Sequence, residues 1–100
     1  MKLFAQRDLT AARAYAIAGG QALHVMSGAF GDADPTAPNC FKNQKQIAHL
    51  FDQDKDRLIK TVKRLGVRVI FVDREGTISQ HIDLCKKPLE RALQEATNGQ

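Results

Sequence analysis

The chain has no tryptophan and a single tyrosine. With five phenylalanines as its other rings, no aromatic stacking platform of the kind on which single-stranded nucleic-acid binders lay successive bases accompanies its basic residues. Cysteine is scarce too. Cys40 and Cys85 stand 45 positions apart with no C-x-x-C, which excludes the redox motif and the paired knuckles of a zinc finger and leaves reduced thiols as the simpler expectation. No apolar run approaches the roughly 18 residues of a membrane span. The start, "MKLFAQRDL", offers only Leu3, Phe4 and Ala5 before polar residues return, far short of a secretory leader. The expectation is a cytoplasmic chain with no membrane partner. Glycine is present without a phosphate-binding pattern: "SGAFGDADPTAP" has neither the G-K-[ST] ending of a P-loop nor G-x-G-x-x-G spacing.

What is present suits one domain over residues 1–100. The composition, 43% hydrophobic and 26% charged, is that of an ordinary globular protein. A chain of this length buries about 60 to 68% of its unfolded surface around a single core. The net charge of +4 is gathered in one region, since residues 42–68 hold eight Lys and Arg against three Asp.

Thr10 reads as the cap of a first helix over residues 10–18, stopped by Gly19 and Gly20. "QALHVM" has strand composition, with Leu23 and Val25 on one side and His24 and Met26 on the other. Residues 27–39 read as a long loop, a reasonable lid for a site. Helical spacing resumes from Asn43 or Gln44 through Ile47, Leu50 and Phe51. Asp52 then reads as the N-cap of a second segment, with Asp54 and Asp56 in its first turn, Leu58, Ile59, Val62 and Leu65 on one stripe, and Gly66 as the stop. "VRVIFVD" predicts a central strand, "DREG" a turn, and "TISQHIDL" the returning strand of a hairpin. A last helix runs from Lys86 to about Thr97, with Pro88 in its first turn, and residues 98–100 are a frayed tail. The expected fold is mixed α/β: a three-stranded mixed sheet ending in a β-hairpin, covered by three to four helices, in the order α-β-α-β-β-α. The first strand and "VRVIFVD" would run parallel through a right-handed crossover.

Chemistry concentrates in "ISQHIDLCKKP". Alternate residues of a strand face the same way, about 7 Å apart at each step, so His81, Asp83 and Cys85 project together. All three side chains are zinc-competent. Further ligands would come from His49, His24, Cys40, Asp32 or Asp34. The bland alternative is a wet face on an edge strand, with Asp83 or Cys85 starting the last helix. His81 and Asp83 also suit acid and base work, because histidine titrates near neutrality beside a carboxylate. His49, brought from a helix, would complete a cluster fitted to phosphate chemistry. Cys85 has no visible oxyanion hole and is a poor nucleophile candidate. The basic residues Lys60, Lys63, Arg64 and Arg68 would contact phosphates or a partner, or simply form a solvated helix face.

"AHLFDQDKDRLIKTVKRLGVR" and "QHIDLCKKPLERAL" together resemble a short bacterial and phage domain family of unknown function. Its members read S/A-H-L, an acidic-capped helix ending R-x-G, then H-Y-D-L-T-P and a basic Arg-Ala-Leu helix. The resemblance covers residues 48–94 and implies that His49, His81 and Asp83 occupy the family's two histidines and aspartate. Ile82 stands where the family has Tyr, and Cys85-Lys86 where it has Thr-Pro.

Two readings follow. One is a small intracellular interaction or regulatory protein of phage or mobile-element origin, meeting a protein or nucleic acid, or a second copy of itself, through a basic helix or a sheet edge. The other is a small phosphate- or metal-handling enzyme or ligand-binding domain using His49, His81 and Asp83. No cofactor is expected.

Overall fold

A computed structural model describes residues 1–27 and 46–96. The loop with Asp32, Asp34 and Cys40, its lid role, and the tail lie outside the described residues. The chain opens with a short strand, β1 (Lys2–Phe4), that the sequence reading left out. Three residues are too few to display a period. A 3-10 turn, Gln6–Asp8, leads into α1 (Leu9–Ile17). The expected cap at Thr10 is corrected: Asp8 precedes the helix, and its side chain makes no capping bond. Gly19, at φ +105°, turns the chain out of α1 in the left-handed conformation that glycine adopts without steric cost. β2 follows as Gln21–Ser27.

The next element overturns an expectation. Residues 46–52 form a strand, β3 (Gln46–Asp52), rather than the end of a helix. Both of its faces are covered: Ile47, Ala48, Leu50, Phe51 and Asp52 are all buried. A strand buried on both sides shows no alternation, and its apolar residues fall at helical spacing by coincidence. The cap of the following helix is likewise corrected from Asp52 to Asp54, whose Oδ1 accepts from the Arg57 backbone N–H at 3.1 Å. This helix, α2 (Lys55–Leu65), has the expected stripe and ends at Gly66 with φ +99°.

"VRVIFVD" does not form a strand. Val67, Ile70 and Val72 pack against the core, while Val69 and Phe71 are 87% and 72% exposed. Its ladder is reduced to one antiparallel bridge between Asp73 and His81. The hairpin expectation fails with it, because residues 74–79 are taken up by turns, held by Thr77 N–H to Arg74 O at 3.1 Å and Gln80 N–H to Thr77 O at 3.1 Å. The returning strand, β4 (His81–Leu84), is four residues long and pairs with β3 instead. Cys85 then precedes α3 (Lys86–Glu95) without a side-chain capping bond.

The sheet is four-stranded and mixed, in the order β1-β2-β3-β4. β1 and β2 are parallel, connected through α1, and the other two pairings are antiparallel. The parallel pair is therefore not the one expected. Directly opposed residues share a face, so the registers sort the sheet into two sides. Leu23, Ala48, Leu50, Ile82 and Leu84 form one core with Leu58, Val62 and Leu65 of α2 and Leu89 and Ala92 of α3. On the opposite side, Phe4, Ala22 and Phe51 pack against Ala12 and Ala16 of α1. No described helix is long and apolar enough to cross a membrane.

The junction of β3 and α2 is held by one buried carboxylate. Asp52 is 0% exposed. It receives Arg57 Nε at 2.8 Å, Arg57 Nη2 at 2.6 Å, Gln21 Nε2 at 2.9 Å and the Asp54 backbone N–H at 2.9 Å. Arg57 also donates to the Gly19 and Gly20 carbonyls at 3.0 and 3.3 Å. A single side chain thus ties the start of α2 to the turn after α1.

Candidate functional site

The α1 side of the sheet also carries a row of polar residues. His24 on β2 lies opposite His49 on β3, which lies opposite Asp83 on β4. His81 lies opposite Phe51 in the neighbouring row. Because these positions are separated by even steps along their strands, all share one face. The chain has three histidines, and the fold brings all of them together. Ring centroids of His49 and His81 are 4.7 Å apart at 61°, and those of His24 and His49 are 5.7 Å apart at 22°. Phe51 closes the group, 5.2 Å from His81 and 5.5 Å from His49.

The bonds fix which nitrogen faces where. His81 Nδ1 lies 2.7 Å from the Ser79 carbonyl. A carbonyl only accepts, so Nδ1 carries a proton there. That leaves Nε2 toward two carboxylates, 3.3 Å from Asp83 Oδ1 and 3.5 Å from Asp73 Oδ2. His49 Nε2 approaches the same Asp83 Oδ1 at 3.5 Å. By the same logic His24 donates from Nε2 to the Gln6 carbonyl at 2.8 Å, and its Nδ1 is bare. Three buried atoms of the group, His24 Nδ1, His49 Nδ1 and Asp83 Oδ1, have no hydrogen-bond partner among the described residues.

The two inner imidazoles differ in proton affinity. Burial pushes His49 down to about 4, with His81 and His24 adding to the push and Asp83 opposing it. Burial also lowers His81, but Asp83, the Ser79 carbonyl and Asp73 outweigh it and raise the group above its ordinary value. Beside a shared carboxylate, His49 thus holds a proton less readily than an ordinary imidazole and His81 more readily. Environments that push two groups apart in this way are how a site divides acid from base. The same three side chains, His49, His81 and Asp83, each present one ligand atom within 4.8 Å of the others.

Of the residues singled out in the sequence, the fold unites His49, His81 and Asp83, with His24 behind His49. His49 comes from a strand, not a helix, and His81 is 6% exposed rather than on a wet face. Cys85 is buried at the start of α3 and is not one of the clustered ligands. Asp73 and the Ser79 carbonyl were not foreseen. Asp73 falls in the expected hairpin turn, and a carbonyl partner leaves no trace in residue type. The basic residues lie elsewhere: α2 packs on the other side of the sheet, and Lys60, Lys63, Arg64 and Arg68 are exposed there. Arg64 is bound by Glu95 at 2.5 and 2.8 Å. Comparison with protein-family models, with curated proteins and with solved structures returned no match.

Proposed function

We propose that this domain is a small enzyme or ligand-binding domain that handles a phosphate-bearing or metal-bound ligand through His49, His81 and Asp83. The observation that carries this reading is the convergence of these groups around buried polar atoms that find no hydrogen-bond partner among the described residues. The large majority of buried side-chain polar atoms are paired with protein or water, and each unpaired one costs about 1–3 kcal/mol. A histidine cluster serving only the core would spend its donors and acceptors within the core. This one leaves lone pairs open, which supports a partner from outside the chain.

The interaction reading has less behind it. Arg57, Arg64 and Lys55 are each bound to a carboxylate, on Asp52, Glu95 and Glu75, so the basic face is narrower than the sequence suggests.

The test is a thermal-shift screen of divalent metal ions, inorganic phosphate and bis(p-nitrophenyl) phosphate, alongside turnover of the last. It uses wild type, His81→Ala, and a Lys60→Glu/Lys63→Glu double variant. The reading expects a ligand-dependent rise in Tm that His81→Ala abolishes and the charge reversal leaves intact. A wild type that responds to no member of the screen, or a response that only charge reversal removes, contradicts it.

A further inference from the structure

Building on the reading of His49, His81 and Asp83 as the working centre, we infer that they form a site for one divalent transition-metal ion of the zinc class. Distance is the first argument. Zinc–nitrogen and zinc–oxygen bonds of about 2.0–2.1 Å in a tetrahedron set neighbouring ligand atoms about 3.3 Å apart. Asp83 Oδ1 lies 3.3 Å from His81 Nε2 and 3.5 Å from His49 Nε2. A carboxylate oxygen stands at tetrahedral-edge distance from two imidazole nitrogens, and the three ligand atoms lie within 4.8 Å of one another.

The donor set selects among metals. Magnesium and calcium ask for oxygen ligands, whereas imidazole suits zinc and its first-row neighbours. Two imidazoles and one carboxylate make the ligand set of catalytic zinc sites, in which the fourth position stays open for water or substrate. Orientation agrees as well: His81 spends Nδ1 on the Ser79 carbonyl, the outer-shell bond that usually fixes a ligating imidazole and turns its Nε2 to the metal.

Charge is the third argument. Asp73 and Asp83 both border the cluster, and the described ion pairs of each are with imidazoles rather than with Lys or Arg. Two carboxylates without a fixed cation favour a cation over an anion. Asp73, 3.5 Å from His81 Nε2, stands at the rim, placed to orient whatever fills the open position. Binding of a phosphate-bearing ligand here would run through the metal, since the cluster has no Arg or Lys fork of its own among the described residues.

The experiment uses the untagged full chain, stripped with chelator and dialysed against zinc, with zinc counted per chain and cobalt substitution followed by visible absorption. Wild type, His49→Ala and the isosteric Asp83→Asn are compared, with circular dichroism confirming that each is folded. Wild type takes up one equivalent and shows tetrahedral cobalt bands. Each variant binds weaker by about 100-fold or more, at or beyond the upper end of what losing an outer-shell partner costs. No saturable uptake by wild type, or equal uptake by folded variants, overturns the inference. If zinc is not taken up while the phosphate-dependent Tm rise persists in chelator, the metal site falls and the proposed function stands. If neither appears, both fall.

Discussion

An imidazole whose Nδ1 gives its proton to a backbone carbonyl has only Nε2 left to offer, and in His81 that nitrogen is turned toward Asp83 and Asp73. Asp83 in turn presents one oxygen to two imidazoles, at the long distances of 3.3 and 3.5 Å. Asp52 is the opposite case. Its two oxygens are fully spent on Arg57, Gln21 and the Asp54 N–H, so it serves the fold. Removing one partner of a buried ion pair costs about 3–5 kcal/mol. Here the low end applies, because half-exposed Arg57 can turn to water. Asp52→Ala should therefore lower Tm by more than about 10 °C, given about 4–8 °C per kcal/mol for a domain of this size. A melt within a few degrees of wild type would show that this network is dispensable.

Elements were legible where one face meets water. α2 announced itself through the Leu58, Val62 and Leu65 stripe, acidic first turn and terminal Gly66, and α3 through Leu89 and Ala92. β3 did not, because helices cover both its sides, and His49 was assigned to the wrong kind of element as a result. "VRVIFVD" failed in the other direction. Its β-branched composition favours a strand, but the segment meets β4 at one bridge and leaves Val69 and Phe71 exposed. The parity of "HIDL" survived these errors, since a strand of any length alternates: Ile82 and Leu84 enter the α2 and α3 core, and His81 and Asp83 face away from it.

Between helices, Arg64 and Glu95 link α2 to α3. Glu95 is held below its usual range, chiefly by the hydrogen bond from Arg64. The unfolded chain therefore takes up this proton first as pH falls, and the pair's contribution is present above the ordinary glutamate range and lost below it. Both side chains are well exposed, so the effect is under about 1 kcal/mol and fades in salt. Urea unfolding of wild type and Glu95→Gln should show a small stability gap at pH 7 that closes toward pH 3. A gap that widens on acidification would refute the assignment.

In the molecule as a whole, the sheet separates two tasks. One side is sealed by α2 and α3 over aliphatic residues. On the other, α1 packs over Phe4, Ala22 and Phe51, and the same side carries His24, His49, His81 and Asp83. Beyond the spacing of His81 and Asp83 and the resemblance over residues 48–94, nothing in residue order indicates that these would meet. What brings them together is strand register, β2 to β3 to β4, and register across distant strands is a property of the finished sheet. The central claim is that the fold holds this cluster in place and does not depend on it. Equilibrium urea unfolding of Asp83→Ala tests it most directly. The Asp83 side chain is 35% exposed and its contacts with the imidazoles are long, 3.5 and 3.3 Å, so deleting it should change the unfolding free energy by no more than about 1 kcal/mol. A loss of about 3 kcal/mol or more, the mark of a broken structural pair, would contradict the account.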